Sequence, residues 1–317
     1  MCIRDRDYAS VAIERARLRE CDSVEFLLGD LCEGESTKGL GTFDFISCVA
    51  VADYVESPGT MLENLAGLLH EDGLLLLAVN TPHHPRARVQ AMMRRLGVDP
   101  GAHATDENVR DLLALFDTVA GPHPGIGMFG DLRESVVAAD LLVPMAHHDP
   151  PHIWVQRAAA AGLYLRGDSM VAPVAAALRD SSHGLMSLNY PALAEACHLL
   201  LPGVGAWMLF GRRPRPVIDL ASPAALDWVP TTDIAVPRAQ LPALPLDQKT
   251  SLTTVMGEQQ LVIEMSGAGM RLLAEADGSR TLGQLCESLE IPVADYALEI
   301  FRLVHTNLLH LRPGTAP

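Results

Sequence analysis

At 317 residues, with 49% hydrophobic and 20% charged, the chain can bury one good core and part of a second, and its composition excludes a disordered polymer. A formal net charge of −15 argues against a nucleic-acid backbone as the main partner, because like charges repel across a whole face. The six cysteines, at positions 2, 21, 32, 48, 197 and 286, have no paired spacing; they read as reduced thiols of a cytoplasmic protein, with neither a disulfide framework nor a zinc knuckle.

No apolar run reaches membrane length, since the longest, Leu199 to Phe210, is interrupted by Pro202, Gly203 and Gly205. The first six residues, Met1-Cys2-Ile3-Arg4-Asp5-Arg6, lack the apolar core of a signal peptide. They resemble a translated leader that recurs at the broken ends of assembled environmental sequences, so the reading frame is expected to begin upstream.

Residues 9–20 have the spacing of an amphipathic helix, with Ser10 as an early cap. Val24 to Leu28 follows as a short strand ending at Gly29-Asp30. Phe43 to Val49 is an apolar strand with Asp44 near its start, Gly59 to Leu69 a helix, Glu71-Asp72-Gly73 a turn, and Leu74 to Val79 a second apolar strand. Strand, helix, strand is the order that gives parallel pairing and half of a doubly wound sheet. Residues 86–180 are mostly helical, broken at Gly97 to Gly101 and Gly121 to Pro124, and carry Arg86, Arg88, Arg94 and Arg95 as a solvated basic face. Ala161 to Leu165 leads from a helix end into a strand, Tyr190 to Leu201 is a helix, and Ala206 to Phe210 is a final strand.

Seven prolines between Pro214 and Pro245 rule out a helix and predict an extended linker. Beyond it come a strand at Leu261-Val262-Ile263, a helix from Ser266 to Ala276, a helix capped by Thr281 through Leu289, a helix opened by Pro292 to about Val304, and a strand from Leu308 to Leu311. Three helices with a small sheet make a winged-helix-like unit. The expected domains are 1–212 with a helical insertion at about 86–180, a linker at 213–250, and 251–317.

Residues 7 to about 212 resemble the class I S-adenosylmethionine-dependent methyltransferases, on Asp7-Tyr8-Ala9-Ser10, Gly29-Asp30-Leu31 and the segment Phe43 to Pro58. The resemblance implies an incomplete doubly wound, Rossmann-like α/β sheet with S-adenosyl-L-methionine as cofactor. It places Asp7 on the ribose hydroxyls, where charge-assisted hydrogen bonds contribute about 1.5–3 kcal/mol each; the alternative is that Asp7 caps a helix. Asp30 and Leu31 would read the adenine, or Asp30 is a turn residue. Cys48 and Val49 would lie along the cofactor at the carboxyl end of their strand, or pack closely there. Asp53 and Tyr54 stand nearest the methyl acceptor and are the candidates for catalysis.

The chain departs from the family in having no Gly-rich loop before Asp7. The family's first two strands sit between its third and fourth, so a fragment of a longer protein is expected, with impaired cofactor binding. Asn80-Thr81-Pro82, the helix with Met92-Met93, and Asp140 to Pro144 are similar to a narrower group with an appended regulatory region, which includes rickettsial-type protein-lysine methyltransferases. The tail, especially Leu272 to Leu282, resembles winged-helix units that bind peptides in peptide-modifying pathways.

Three patterns are decoys. Gly125-Ile126-Gly127-Met128-Phe129-Gly130 lacks the preceding strand that a dinucleotide fingerprint needs. His83-His84 and His147-His148-Asp149-Pro150-Pro151-His152 read as loops and a helix start rather than metal ligands, because two prolines separate the histidine faces. No Gly-x-Ser-x-Gly elbow is present. The expected function is methyl transfer to a protein side chain or small molecule; the rival is a non-catalytic peptide-binding or regulatory protein on a degenerate sheet.

Overall fold

The computed structural model describes residue 27 and residues 29–95, 147–177, 189–200, 205–214, 220, 222–232, 245–256 and 259–313. The chain divides into two compact units, Met1–Gly167 with Leu201–Pro214, and Asp168–Leu200 with Arg215–Pro317. The expected helix at residues 9–20, the strand at Val24 to Leu28 and the Gly125 to Gly130 loop lie outside the described residues, except that Leu27 is exposed and not in a strand.

The first unit is built on a four-stranded sheet of order β1-β2-β4-β3, with β1 Phe43–Val49, β2 Leu69–Asn80, β3 Tyr164–Asp168 and β4 Gly205–Gly211. β1 and β2 are parallel, joined by α1 (Pro58–Leu68), as the strand–helix–strand order predicts. β4 runs antiparallel to β2, which makes the sheet mixed. α1 starts where it does because Ser57 caps it, its side chain accepting from the Thr60 N–H, and Pro58 occupies the first turn, where no donor is needed.

The turn expected at Glu71-Asp72-Gly73 is instead part of a longer strand. Phe43 pairs with Leu69 and Phe45 with Leu74, so residues 70–73 bulge out of the ladder. Gly73 is required there: a Cβ would stand 2.8 Å from the Phe43 carbonyl oxygen and 3.1 Å from backbone atoms of His70. Arg213 answers the two acids of the bulge at 2.8 Å from Glu71 and 2.7 Å from Asp72, and its side-chain hydrogen bond holds the Glu71 carboxyl below the usual range.

Strand alternation divides the sheet into two unlike faces. Cys48, Leu75, Leu77, Val79, Ala206, Met208 and Phe210 are buried on one. α1 packs on β2 and on α3 (Pro151–Ala160), adding Met61, Leu62, Leu65 and Trp154 to that core. The register Val49↔Ala78↔Trp207 and Phe45↔Leu74↔Gly211 defines the other face, where Phe45 is 55% exposed, Val49 40% and Trp207 51%. Among the described residues only one face is therefore fully covered, whereas a doubly wound sheet covers both. α2 (Pro85–Arg95) follows β2. Its Arg88, Arg94 and Arg95 are exposed, as a solvated basic face requires.

The second unit begins at the end of β3. Asp168 accepts from the Met170 N–H at 2.8 Å and pairs with His198 Nε2 at 2.9 Å, while its own N–H donates to the Tyr190 hydroxyl at 2.8 Å. These bonds fix α5 (Tyr190–Leu200) at both ends, and α4 (Val171–Ala177) packs beside it. The core joins Ala176 to Ile263, Met265, Leu272, Leu273, Leu285, Ile300 and Leu303 from β7 (Gln259–Ser266), α6 (Gly267–Glu275), α7 (Leu282–Ser288) and α8 (Val293–His305). Thr281 caps α7 and Pro292 precedes α8, both as the sequence predicts, and Gln284 completes a capping box with Thr281.

The proline-rich segment is not wholly an extended linker. It holds a 3-10 turn at Pro223–Asp227 and β5 (Val229–Thr231), which pairs antiparallel with β8 (His310–Arg312). Pro230 fits because a two-stranded ribbon has an outer side where no N–H is needed. β6 (Lys249–Met256), absent from the sequence reading, pairs with β7.

Candidate functional site

Parallel strands end together, so the carboxyl ends of β1 and β2 form one edge with the loops after Val49 and Asn80. Ala50, the first residue past β1, has φ 55°, and its N–H donates to the Ala78 carbonyl at 3.3 Å. A left-handed conformation costs a non-glycine residue about 1–2 kcal/mol, so the surrounding contacts enforce this kink. The chain then makes a 3-10 turn at Ala52–Tyr54 before α1.

Asp53 is fully buried at this edge, and its two carboxylate oxygens stand 2.9 and 3.2 Å from the Asn80 N–H. The acid thus ties the loop after β1 to the last residue of β2. Tyr54 is half-buried, its N–H bonded to the Val51 carbonyl at 2.9 Å. Cys48 and Val49 point to opposite faces. Cys48 is buried, and burial pushes its thiol up to about 11, while Val49 is on the open face. A neutral buried thiol is a packing group, so of these two only the Val49 side chain is accessible from that face.

Asp30 and Leu31 reach the same end of the sheet by a separate route. Asp30 Oδ1 accepts from the Cys32 N–H at 2.8 Å, forming an Asx turn. The turn is held to α1 by Asn64 Nδ2 donating to the Leu31 carbonyl at 2.8 Å and by Cys32 Sγ donating to the Ser57 carbonyl at 3.5 Å. Ser57 is four residues beyond Asp53, so the structure brings the Asp30–Leu31 turn to the helix start that follows the Asp53–Tyr54 turn. Asp7 lies outside the described residues. Among the described residues no group of three or more His, Cys, Asp or Glu is arranged to hold a metal ion.

The histidines set aside in the sequence occupy this edge as well. The His147 N–H donates to the Asp53 carbonyl at 2.7 Å, and His147 Nε2 lies 3.0 Å from the Val55 carbonyl. His148 Nε2 lies 3.1 Å from Oε1 of the fully buried Gln90 on α2. Asp149 pairs with Arg157 at 2.7 Å, and the Arg157 guanidinium sits 4.9 Å from the Trp154 ring centroid. Reading these histidines as a surface loop is therefore corrected for His147 and His148, which are half-buried and docked. His152 is at a helix start, in the first turn of α3, and His84 directly precedes α2, its carbonyl accepting from the Arg88 N–H at 3.2 Å. Hydrophobic patterning could not reveal the docking, since the strap 147–150 joins partners 58 and 92 residues away.

The fold and this edge define a mixed α/β protein with a candidate site at the carboxyl ends of a parallel strand pair. No protein-family model matches the chain, and no curated protein matches it. Among solved structures it is similar to PKMT2 from Rickettsia typhi, at 16% identity and a TM-score of 0.45, over 86% of this chain and 58% of that one. The same protein in complex with AdoHcy gives 16% identity and a TM-score of 0.44, over 88% of this chain and 60% of that one. The chain spans about three-fifths of the length of those structures. No helix among the described residues is long and apolar enough to cross a membrane.

Proposed function

We propose that the carboxyl edge of β1 and β2 binds S-adenosyl-L-methionine and supports methyl transfer to a protein side chain or small molecule. The observation that carries the reading is the convergence of the Asp30–Leu31 turn and the Asp53–Tyr54 turn on the start of α1, at the ligand edge of a parallel pair. The available chemistry fits the cofactor. Asp30 uses Oδ1 for its own turn, which leaves Oδ2 without a partner among the described residues and able to accept from an exocyclic amine. Leu31 is half-buried beside it, an apolar surface for a ring. Asp7 would take the ribose hydroxyls, and Cys48 and Val49 would line the cofactor with backbone and Val49 side chain.

When bound, the cofactor supplies an electrophilic methyl group. The chain's part is to hold the two reactants in near-attack geometry and to exclude water, where effective molarities of about 10⁵ M or more are attainable. Asp53, already engaged by the Asn80 amide, serves best as an electrostatic strut for a developing cation, and Tyr54 would stand on the acceptor side. The tail, as a winged-helix-like unit, would recruit a peptide. Cytoplasmic residence is part of the same proposal, in keeping with Cys32, Cys48, Cys197 and Cys286 being free thiols.

A second reading, binding without catalysis, is favoured by one observation: the Asp53 carboxylate is committed to a backbone amide, not presented as a base. Calorimetry with S-adenosylmethionine separates the possibilities. Binding that is lost in Asp30→Ala supports the site, binding without methyl transfer to any lysine peptide or amine supports the second reading, and no heat at millimolar cofactor overturns methyl transfer and leaves a non-catalytic protein.

A further inference from the structure

We infer that His147 is a positioning residue, one that sets the Asp53–Tyr54 turn from a distant part of the chain; its functional meaning rests on the proposed use of the carboxyl edge. The two carbonyls flanking Tyr54 are both taken by this one residue, Asp53 O by its backbone N–H at 2.7 Å and Val55 O by its ring at 3.0 Å. A carbonyl only accepts, so Nε2 carries a proton and donates in either charge state of the ring. Val55 is buried, so losing the ring donor leaves its carbonyl without that bond in a place water does not readily reach.

The bonds act across the residue that matters. Tyr54 lies between the two anchored carbonyls: the peptide plane before it is held at the Asp53 carbonyl and the plane after Val55 at the Val55 carbonyl, so the backbone of the turn is pinned on both sides of Tyr54. Asp53 is fixed from two sides, by the Asn80 amide at its carboxylate and by His147 at its carbonyl. The following residues extend the brace, His148 to Gln90 on α2 and Asp149 to Arg157 on α3. Four consecutive residues, 147–150, thus tie the site turn to two helices, and Pro150 and Pro151 stiffen the exit into α3. A side chain that binds no ligand itself would still decide where the acceptor-side groups stand.

The test uses the full chain and three variants: His147→Ala, His147→Gln and, as control, His83→Ala, an exposed residue of the turn after β2. Amide hydrogen exchange is read at Tyr54 and at Met208 in the sheet centre, beside calorimetry with S-adenosylmethionine. The expected result is about tenfold faster exchange at Tyr54 in His147→Ala, the scale of one net hydrogen bond. Met208 should be unchanged, and Gln, whose amide also donates, should restore Tyr54. Cofactor affinity should follow the same order. Equal acceleration at Tyr54 and Met208 would show a merely global effect and overturn the inference, as would no change in His147→Ala or a failure of Gln to restore. If the unaltered chain binds no cofactor, the proposed function fails, while the exchange measurements still decide His147.

Discussion

Removing the Asp53 carboxylate tests whether it braces the site edge. The side chain is fully buried with both oxygens on the Asn80 amide. Asp53→Asn keeps an acceptor of the same shape and loses the charge, exchanging a bond of about 1.5–3 kcal/mol for one of about 0.5–1.5, a net cost near 1 kcal/mol. Asp53→Ala leaves the Asn80 N–H without that acceptor and opens a small void, for about 2–3 kcal/mol in all. Thermal unfolding followed by the fluorescence of Trp154, buried in the same unit, should fall by about 2–4 °C for each kcal/mol. Amide exchange at Asn80 should rise in the same order, Ala above Asn. The reasoning fails if Asn is as damaging as Ala, or if Asp53→Ala stabilises the unit; the latter would mean that the acid is kept at a cost to the fold.

Three other substitutions probe the surroundings. Trp154 is fully buried with an indole N–H that has no acceptor among the described residues, so Trp154→Phe should change stability by less than about 1 kcal/mol, against about 3–5 for Trp154→Ala, measured by urea unfolding. In the second unit the Glu299 carboxylate accepts from the Ser266 hydroxyl at 2.6 Å and from the Ser266 N–H, and a Cβ on Gly269 would run into it. Gly269→Ala should cost about 1–3 kcal/mol, and much less when Glu299→Ala is already present, as a double-mutant cycle would show. Burial raises the Cys48 thiol from 9.0 to about 11, so the folded state keeps its proton longer than the unfolded one. That contribution is complete below pH 9 and lost as pH rises through 11. Urea titrations of Cys48→Ala should show a shallower alkaline loss of stability than the parent chain.

Much of the local structure was legible in the sequence because its causes are local. The helix expected at Gly59 to Leu69 forms at Pro58–Leu68, Thr281 caps α7, and the apolar runs at Phe43 to Val49 and Ala206 to Phe210 form strands. The position of Asp53 and Tyr54, just past a strand that leads into a helix, was legible for the same reason, and it is what the proposed site rests on. Long-range pairing was not legible. The antiparallel course of β4, the bulge that absorbs Glu71 and Asp72, and β5 within the proline-rich segment depend on partners far along the chain. The docking of His147 on the Asp53 turn is of the same kind: two hydrogen bonds between residues some ninety positions apart, for which composition and periodicity carry no signal. The amino-acid order by itself determined which segments form strands, caps and helices, because those choices are set within a turn or two of backbone. Only the tertiary structure decided which side chains meet at the edge, because that requires the free energy of closing long loops to be offset by packing that no local segment contains.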